Sequence, residues 1–102
     1  MEKIIKLGEN GISLGTRAFG KEIRDIITDT ISNNGKVIVD FKGVETISDS
    51  FTDEGFAKLV YTFSLETLRE KLEFINMDKL VSFVLKQAIA ERKKKLENGV
   101  SA

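Results

Sequence analysis

The densest group of side chains that could do chemistry lies between residues 48 and 54. It combines hydroxyls and carboxylates with one phenylalanine: Ser48, Asp49, Ser50, Phe51, Thr52, Asp53 and Glu54. Hydroxyl groups can accept a phosphoryl group or cap a helix, and carboxylates can bind a hard cation or a basic partner. Arg17 adds a guanidinium that suits a carboxylate or phosphate of a partner.

The simplest role for these serines and aspartates is structural. Hydroxyl and carboxylate side chains are the preferred caps of helix N-termini, where one cap contributes about 1 kcal/mol. We expect Asp49 or Ser50 to cap the helix that follows. Ser50 with Asp53 three residues later also resembles a capping box.

The carboxylates Asp49, Asp53 and Glu54 have oxygen ligands of the kind that Mg²⁺ prefers. Their spacing is not that of an EF-hand loop. Negative charge at a helix N-terminus is explained sufficiently by the helix macrodipole. We therefore expect no metal site.

Composition narrows the possible classes of function. The chain has no His and no Cys, which removes the commonest general base, the usual nucleophile pairs and the commonest metal ligands. We therefore expect neither enzymatic activity nor a cofactor. The absence of Trp and the net charge of zero argue against nucleic-acid binding. The basic run 92–95 is interpreted as a solvated helix end, and the glycines around Thr16 as turns rather than a phosphate-binding loop.

The length of 102 residues matches the commonest domain size, so we predict one domain over residues 1–102, with residues 98–102 as a frayed tail. The longest apolar runs are far shorter than the roughly 20 residues that span a bilayer. The first residues do not resemble a secretory signal. We expect no membrane association and a cytoplasmic location.

The first half of the chain must position this polar segment. Asn10-Gly11 predicts a hairpin turn between strands at 2–7 and 12–14. Apolar residues at steps of three and four predict a helix over 16–33, within which Gly20 indicates a close approach to a neighbouring element. The β-branched run in 36–41 predicts a central strand buried on both faces, and the helix leading into it indicates a parallel βαβ crossover.

The second half supplies the remaining elements. A helix is predicted over 52–63, a turn or short helix over 64–71, a strand over 72–75 and a closing helix over 77–97. The closing helix is expected to bury Met77, Leu80, Val81, Val84, Leu85 and Ala88. The predicted fold class is α/β, with a small mixed β-sheet packed against about three α-helices. The polar segment then follows the central strand, at the edge where open sheets gather ligand and partner contacts.

Two stretches carry a resemblance to a known fold. Residues 39–44 and 47–50 resemble the central segment of STAS domains, the fold of anti-sigma-factor antagonists. The match is closer to a STAS-like family of unknown function, whose Asp-Phe-x-x-Val and Ser-Phe-x-Asp-Glu motifs correspond to residues 40–44 and 50–54. The pair Thr16-Arg17 resembles the Ser/Thr-Arg pair of that family.

The resemblance implies a regulatory module that docks a protein partner, a GHKL-type ATPase or kinase or an anti-sigma-like regulator. Such antagonists are phosphorylated on the first Ser of an Asp-Ser-Ser-Gly motif, where this chain has Asp49. Ser50 matches the second Ser, so it is the better candidate phosphosite and Ser48 the next. The expected partner-binding residues are those of the loop 47–54, together with Arg17: Ser48, Asp49, Ser50, Phe51, Thr52 and Asp53.

Two alternatives remain open at the level of sequence. The chain could be a structural scaffold or a homodimer without a switch, associating through helix 52–63 or the early hairpin. It could also be a carboxylate-dependent enzyme or a nucleotide binder. Oligomeric state and nucleotide binding distinguish these alternatives from a partner-binding module.

Overall fold

The computed structural model describes residues 1–11 and 13–99, and it confirms the α/β class. The strands are β1 (Glu2–Lys6), β2 (Ser13–Leu14), β3 (Lys36–Asp40), β4 (Thr46–Ile47) and β5 (Leu72–Ile75). The helices are α1 (Arg17–Ser32), α2 (Asp49–Gly55), α3 (Leu65–Lys71) and α4 (Lys79–Glu97), with two 3-10 helices at Leu7–Asn10 and Ala57–Tyr61. The described part thus has four α-helices, because the segment 64–71, predicted as a turn or a short helix, forms the short helix α3.

Three strands form the main sheet in the order β1-β3-β5, with both pairs parallel. The central position of β3 and the parallel βαβ crossover through α1 are therefore confirmed. β2 and β4 form a separate parallel pair. Every strand pair in the described residues is parallel, whereas the sequence had suggested a mixed sheet.

The predicted hairpin at Asn10-Gly11 is wrong. The chain leaves β1 into the first 3-10 helix, and Leu7 becomes fully buried. A Cβ on Gly8 would collide with the carbonyl of Lys42, so the backbone packs tightly there. β2 then pairs with β4 instead of returning along β1, while Ile12 lies outside the described residues. Burial and long-range pairing thus outweigh the local turn signal.

Helix α1 begins and ends as its sequence indicates. The Oγ1 of Thr16 accepts a hydrogen bond from the amide of Phe19 at 3.1 Å, and Asn34 closes the helix with φ of 64°. The close approach predicted at Gly20 is confirmed, since a Cβ there would lie 2.7 Å from the carbonyl oxygen of Phe51.

The helix predicted over 52–63 is two elements. α2 begins three residues earlier and ends at Gly55, and a 3-10 helix over Ala57–Tyr61 follows. Phe56 and Leu59 are both buried. The three-residue period of a 3-10 helix places these two side chains on the same face, toward the core.

The core lies between the sheet and the helices and is rich in phenylalanine. Phe56 contacts Phe41, Phe51 and Phe74, with ring centroids 5.3–6.0 Å apart. β3 is not buried on both faces as predicted. Val37 and Val39 are fully buried, but the alternate positions of this strand are only half-buried.

The closing helix α4 begins two residues later than predicted, with Asp78 as its N-cap, and ends at Glu97, with Asn98 as its C-cap. It buries Val81 and Leu85 as expected, but Leu80 is 53% exposed and does not face the core. No helix of the described residues is long and apolar enough to cross a membrane. Of the predicted frayed tail, residues 100–102 lie outside the described residues.

Candidate functional site

Ser48 is the cap of α2, so the expectation that Asp49 or Ser50 caps it was wrong. The Oγ of Ser48 accepts a hydrogen bond from the amide of Phe51 at 3.0 Å and donates one to the carbonyl of Gly15 at 2.9 Å. The helix begins at Asp49, which leaves Ser48 as the last extended residue and the only position with cap geometry. The same hydroxyl thus ties the start of α2 to the segment before α1.

The remaining residues of the segment divide between the core and the surface. Phe51 and Thr52 are fully buried, and the ring of Phe51 stacks on Phe19 with centroids 5.5 Å apart. These two side chains are therefore not accessible to a partner in this structure. Asp49 is exposed and Ser50 is half-buried.

Asp53 lies between two arginines from distant parts of the chain. The Nε and Nη2 of Arg92 each donate to one of its carboxylate oxygens at 2.6 Å, and the Nη1 of Arg17 donates at 3.1 Å. Hydrogen bonding from Arg92 is the main cause that lowers the pKa of Asp53 to about 2, and Arg17 adds to it. Asp53 in turn raises the pKa of Arg92. This bidentate pair fastens α4 to α2.

Glu54 carries a second set of ion pairs, with its side chain only 12% exposed. It accepts hydrogen bonds from Arg24 at 2.8 Å, Lys58 at 3.0 Å and Arg17 at 3.1 Å. Burial raises the pKa of Glu54, but these three cations together outweigh that effect and hold the pKa at about 2. Buried carboxylates of this kind are stable only when they are fully paired.

Two glycines allow this pairing. A Cβ built on Gly55 would lie 3.2 Å from the carbonyl oxygen of Gly20, and one built on Gly20 would lie 3.1 Å from the Cβ of Glu54. The backbones of α1 and α2 therefore touch directly. This contact brings Glu54 within reach of Arg24, which also donates to the carbonyl of Glu54 at 2.8 Å.

A cleft of about 300 Å³ lies between α2 and α4, beside the Asp53–Arg92 pair, and we call it the α2–α4 cleft. Its walls carry both charges, and its lining residues are Arg17, Asp49, Ser50, Asp53, Gln87, Ala88, Glu91, Arg92 and Lys95. The side chain of Arg17 is 53% exposed, although it pairs with Asp53 and Glu54. The structure thus brings Asp49, Ser50, Asp53 and Arg17 to one surface.

Sequence reasoning missed the cations that complete the site, Arg24, Arg92 and Lys58. The sequence does contain patterns that indicate where Arg92 and Arg24 lie. Arg92 continues the apolar stripe of α4 at helical spacing from Val81 and Leu85, so it faces the body of the protein and does not belong to a fully solvated helix end. Arg24 lies one turn after Gly20 in α1, where the two helices touch.

The carboxylates of Asp53 and Glu54 are paired with cationic side chains. Asp53 and Glu54 direct their oxygens at arginine and lysine side chains. Over the described ranges, no group of His, Cys, Asp or Glu side chains has the arrangement needed to hold a metal ion.

Comparison with protein families gives one match, which covers residues 20–82, more than half of the chain. The matched family is described as a STAS-like domain of unknown function (DUF4325). No curated protein and no solved structure matches the chain. The matched residues include α1 from Gly20 onward, the central strand, α2 and the first part of α4. The chain therefore belongs to the family of STAS-like domains of unknown function.

Proposed function

We propose that this chain is a non-catalytic regulatory module that binds a protein partner through the start of α2 and the α2–α4 cleft. The partner implied by the STAS-like character is a GHKL-type ATPase or kinase or an anti-sigma-like regulator. The observation that carries the proposal is the position of Asp49 and Ser50. Both line an open cleft beside the exposed guanidinium of Arg17.

The surface is held in place by its own contacts. The Ser48 cap, the buried ring of Phe51 and the ion pair between Asp53 and Arg92 fix the first turns of α2 from three sides. Little backbone entropy of this segment therefore remains to be lost when a partner contacts Asp49 and Ser50. Preorganisation of this kind improves affinity for a given contact area.

The charge states of the site support binding rather than catalysis. Asp53 and Glu54 both have a pKa of about 2, so neither holds a proton to donate at neutral pH. A carboxylate with so low a pKa is also a weak general base. Their oxygens already accept hydrogen bonds from arginine and lysine.

Ser50 is the better phosphosite of the two candidates. The hydroxyl of Ser48 serves in two hydrogen bonds at the start of α2, whereas Ser50 lines the cleft with Arg17 and Lys95. Both ion pairs of Arg17 use Nη1, which leaves Nη2 and Nε able to donate to a phosphate. A phosphate on Ser50 adds nearly two negative charges beside Asp49 and would change which partner this surface attracts.

The homodimer alternative named two surfaces, helix 52–63 and the early hairpin, and the hairpin does not form. In the region 52–63 the hydrophobic side chains of Phe56, Ala57, Leu59 and Val60 are buried, so they are not available to a second copy. Size-exclusion chromatography with light scattering tests what remains of that alternative. A stable dimer at micromolar concentration would favour the scaffold role.

The test of the proposal is quantitative affinity capture from a lysate of the source cells, using the chain and two charge-reversal variants. We expect a GHKL-type ATPase to be retained by the native chain and lost with Asp49→Arg. The exposed Asp25, whose pair with Lys21 lies on α1, provides the matched control Asp25→Arg. Equal retention by the two variants would contradict the proposed surface.

Phosphorylation is tested with the captured kinase and ATP, followed by intact mass measurement. We expect one phosphate on the native chain and none on Ser50→Ala, with partner affinity reduced at least tenfold in Ser50→Glu. Ser82→Glu, on α4, is the control and should bind normally. A native chain that gains no mass, together with unchanged affinity of Ser50→Glu, would reject the switch.

A further inference from the structure

A second surface lies between α3 and α4, where two adjoining clefts of about 260 and 190 Å³ share the side chains of Val60, Leu65 and Lys93. The floor of the larger cleft includes the buried Phe56 and the half-buried Phe74. We call the two clefts together the α3–α4 groove. It is a separate surface from the α2–α4 cleft.

The larger cleft is apolar except at its rim. Seven of the nine residues that line it are hydrophobic, and the other two are Arg69 and Lys93. No carboxylate lines this cleft, although acidic and basic residues are equally numerous in the chain. The larger cleft therefore combines an apolar floor with a positively charged rim, which suits an anion that has an apolar body, while Glu97 lines only the smaller cleft.

Two large side chains along the groove remain uncovered. Leu65 is 40% exposed and lines both clefts, and Leu96 is 48% exposed and lines the smaller one. α3, which forms one wall, has no buried residue of its own. An apolar ligand in the groove would remove Leu65 from water without displacing any helix.

We propose that the α3–α4 groove binds a fatty-acyl carboxylate of about eight to ten carbon atoms, with its carboxylate at Arg69 and Lys93. Size supports this occupant. A cavity of roughly 150 Å³ accepts a benzene molecule, so a cleft of about 260 Å³ accommodates a medium-length acyl chain. This inference does not rest on the proposed partner binding.

The test uses isothermal titration calorimetry and amide chemical shifts with hexanoate, octanoate and decanoate, all below micelle-forming concentrations. Each added methylene should tighten binding about fourfold, since a buried methylene contributes roughly 0.8 kcal/mol. Decanol and decyltrimethylammonium should bind at least fivefold more weakly than decanoate. Shift changes should be centred on Val60, Leu68 and Ile89.

Two leucines provide a matched pair of variants. Leu65 and Leu80 are both exposed and both lie in the first turn of a capped helix, where an added carboxylate is tolerated. Leu65→Asp should abolish decanoate binding, while Leu80→Asp should bind like the native chain. Because both substitutions are on the surface, both variants should fold.

Three results would overturn the proposal. The first is no heat and no shift change with decanoate at millimolar concentration. The second is equal affinity for the carboxylate, the alcohol and the ammonium compound. The third is a native dimer in light scattering that dissociates in Leu65→Asp but not in Leu80→Asp, which would show that a second copy of the chain covers the groove.

Discussion

The two sides of this small domain are built differently. Where α1 meets α2, the backbones touch at Gly20 and Gly55, and a buried glutamate is paired with three cations. On the side of α3, in contrast, no helix residue is buried, and in the described part of the chain no ion pair includes a residue of α3. Tight packing holds the α2 surface in one shape, while α3 and the groove beside it are the easier part to open locally.

Acid should affect the ion-paired side most. Asp53 and Glu54 have pKa values of about 2 in the folded chain, below the ordinary value near 4. The stabilisation of the folded chain by these two ionised carboxylates is therefore complete above about pH 5. It is lost as the pH falls through 4 toward 2, because the carboxylates of the unfolded chain take up protons first. Two shifts of about two units correspond to at most about 5 kcal/mol at 1.36 kcal/mol per unit, and the sharing of Arg17 by the two carboxylates reduces this sum. Urea unfolding from pH 6 to pH 2 measures this loss.

Two variants locate the acid effect. Glu54→Gln should be less stable at pH 7 and should lose roughly half of the pH dependence, whereas Glu70→Gln in α3 should follow the native curve. If the unfolding free energy of Glu54→Gln falls between pH 5 and pH 2 as steeply as that of the native chain, the pH-dependent stabilisation does not come from Glu54 and its ion pairs.

Leucine truncation compares the packing of the core with that of α3. Leu59 is fully buried, so Leu59→Ala should cost about 3 kcal/mol of unfolding free energy through lost burial and a cavity. Leu68 is half-buried in α3, so Leu68→Ala should cost only about 1 kcal/mol. Urea denaturation of both variants at pH 7 gives the two values, and similar losses would show that α3 is as well packed as the core.

The glycine contact gives the smallest of the three effects. Gly20→Ala should cost about 1 to 2 kcal/mol, because overpacking of the helix contact exceeds the gain in helix propensity. Gly15 is the control, since a Cβ there meets nothing closer than the Oγ of Ser48 at 4.0 Å. Thermal unfolding should place Gly15→Ala within about 0.5 kcal/mol of the native chain. A stabilised Gly20→Ala would mean that the helices separate at little cost.

Patterns that depend on neighbours in the sequence predicted the fold well. The position of the central strand, the bounds of the first helix and the approach at Gly20 follow from local residue types and helical spacing. The hairpin prediction failed because the turn preference of Asn10-Gly11 is weaker than the pairing of β1 with β3 and the burial of Leu7. Strand direction depends on such distant contacts.

The candidate site was predicted in part for the same reason. Asp49, Ser50, Asp53 and Arg17 do share one surface, as the motif had suggested. Asp53 and Arg92 are 39 positions apart, so their pairing was not visible in a local window. The burial of Phe51 also depends on its stacking with Phe19, a contact between helices.

The touching backbones of α1 and α2 place a joint limit on what this sequence can become. A methyl group at position 20 or 55 would move the helices apart, and the distance of 2.8 Å between Arg24 and the carboxylate of Glu54 would grow with it. A single steric change would thus also weaken an electrostatic contact. Positions 20 and 55 can accept larger residues only if the charges between the helices are redesigned together with them.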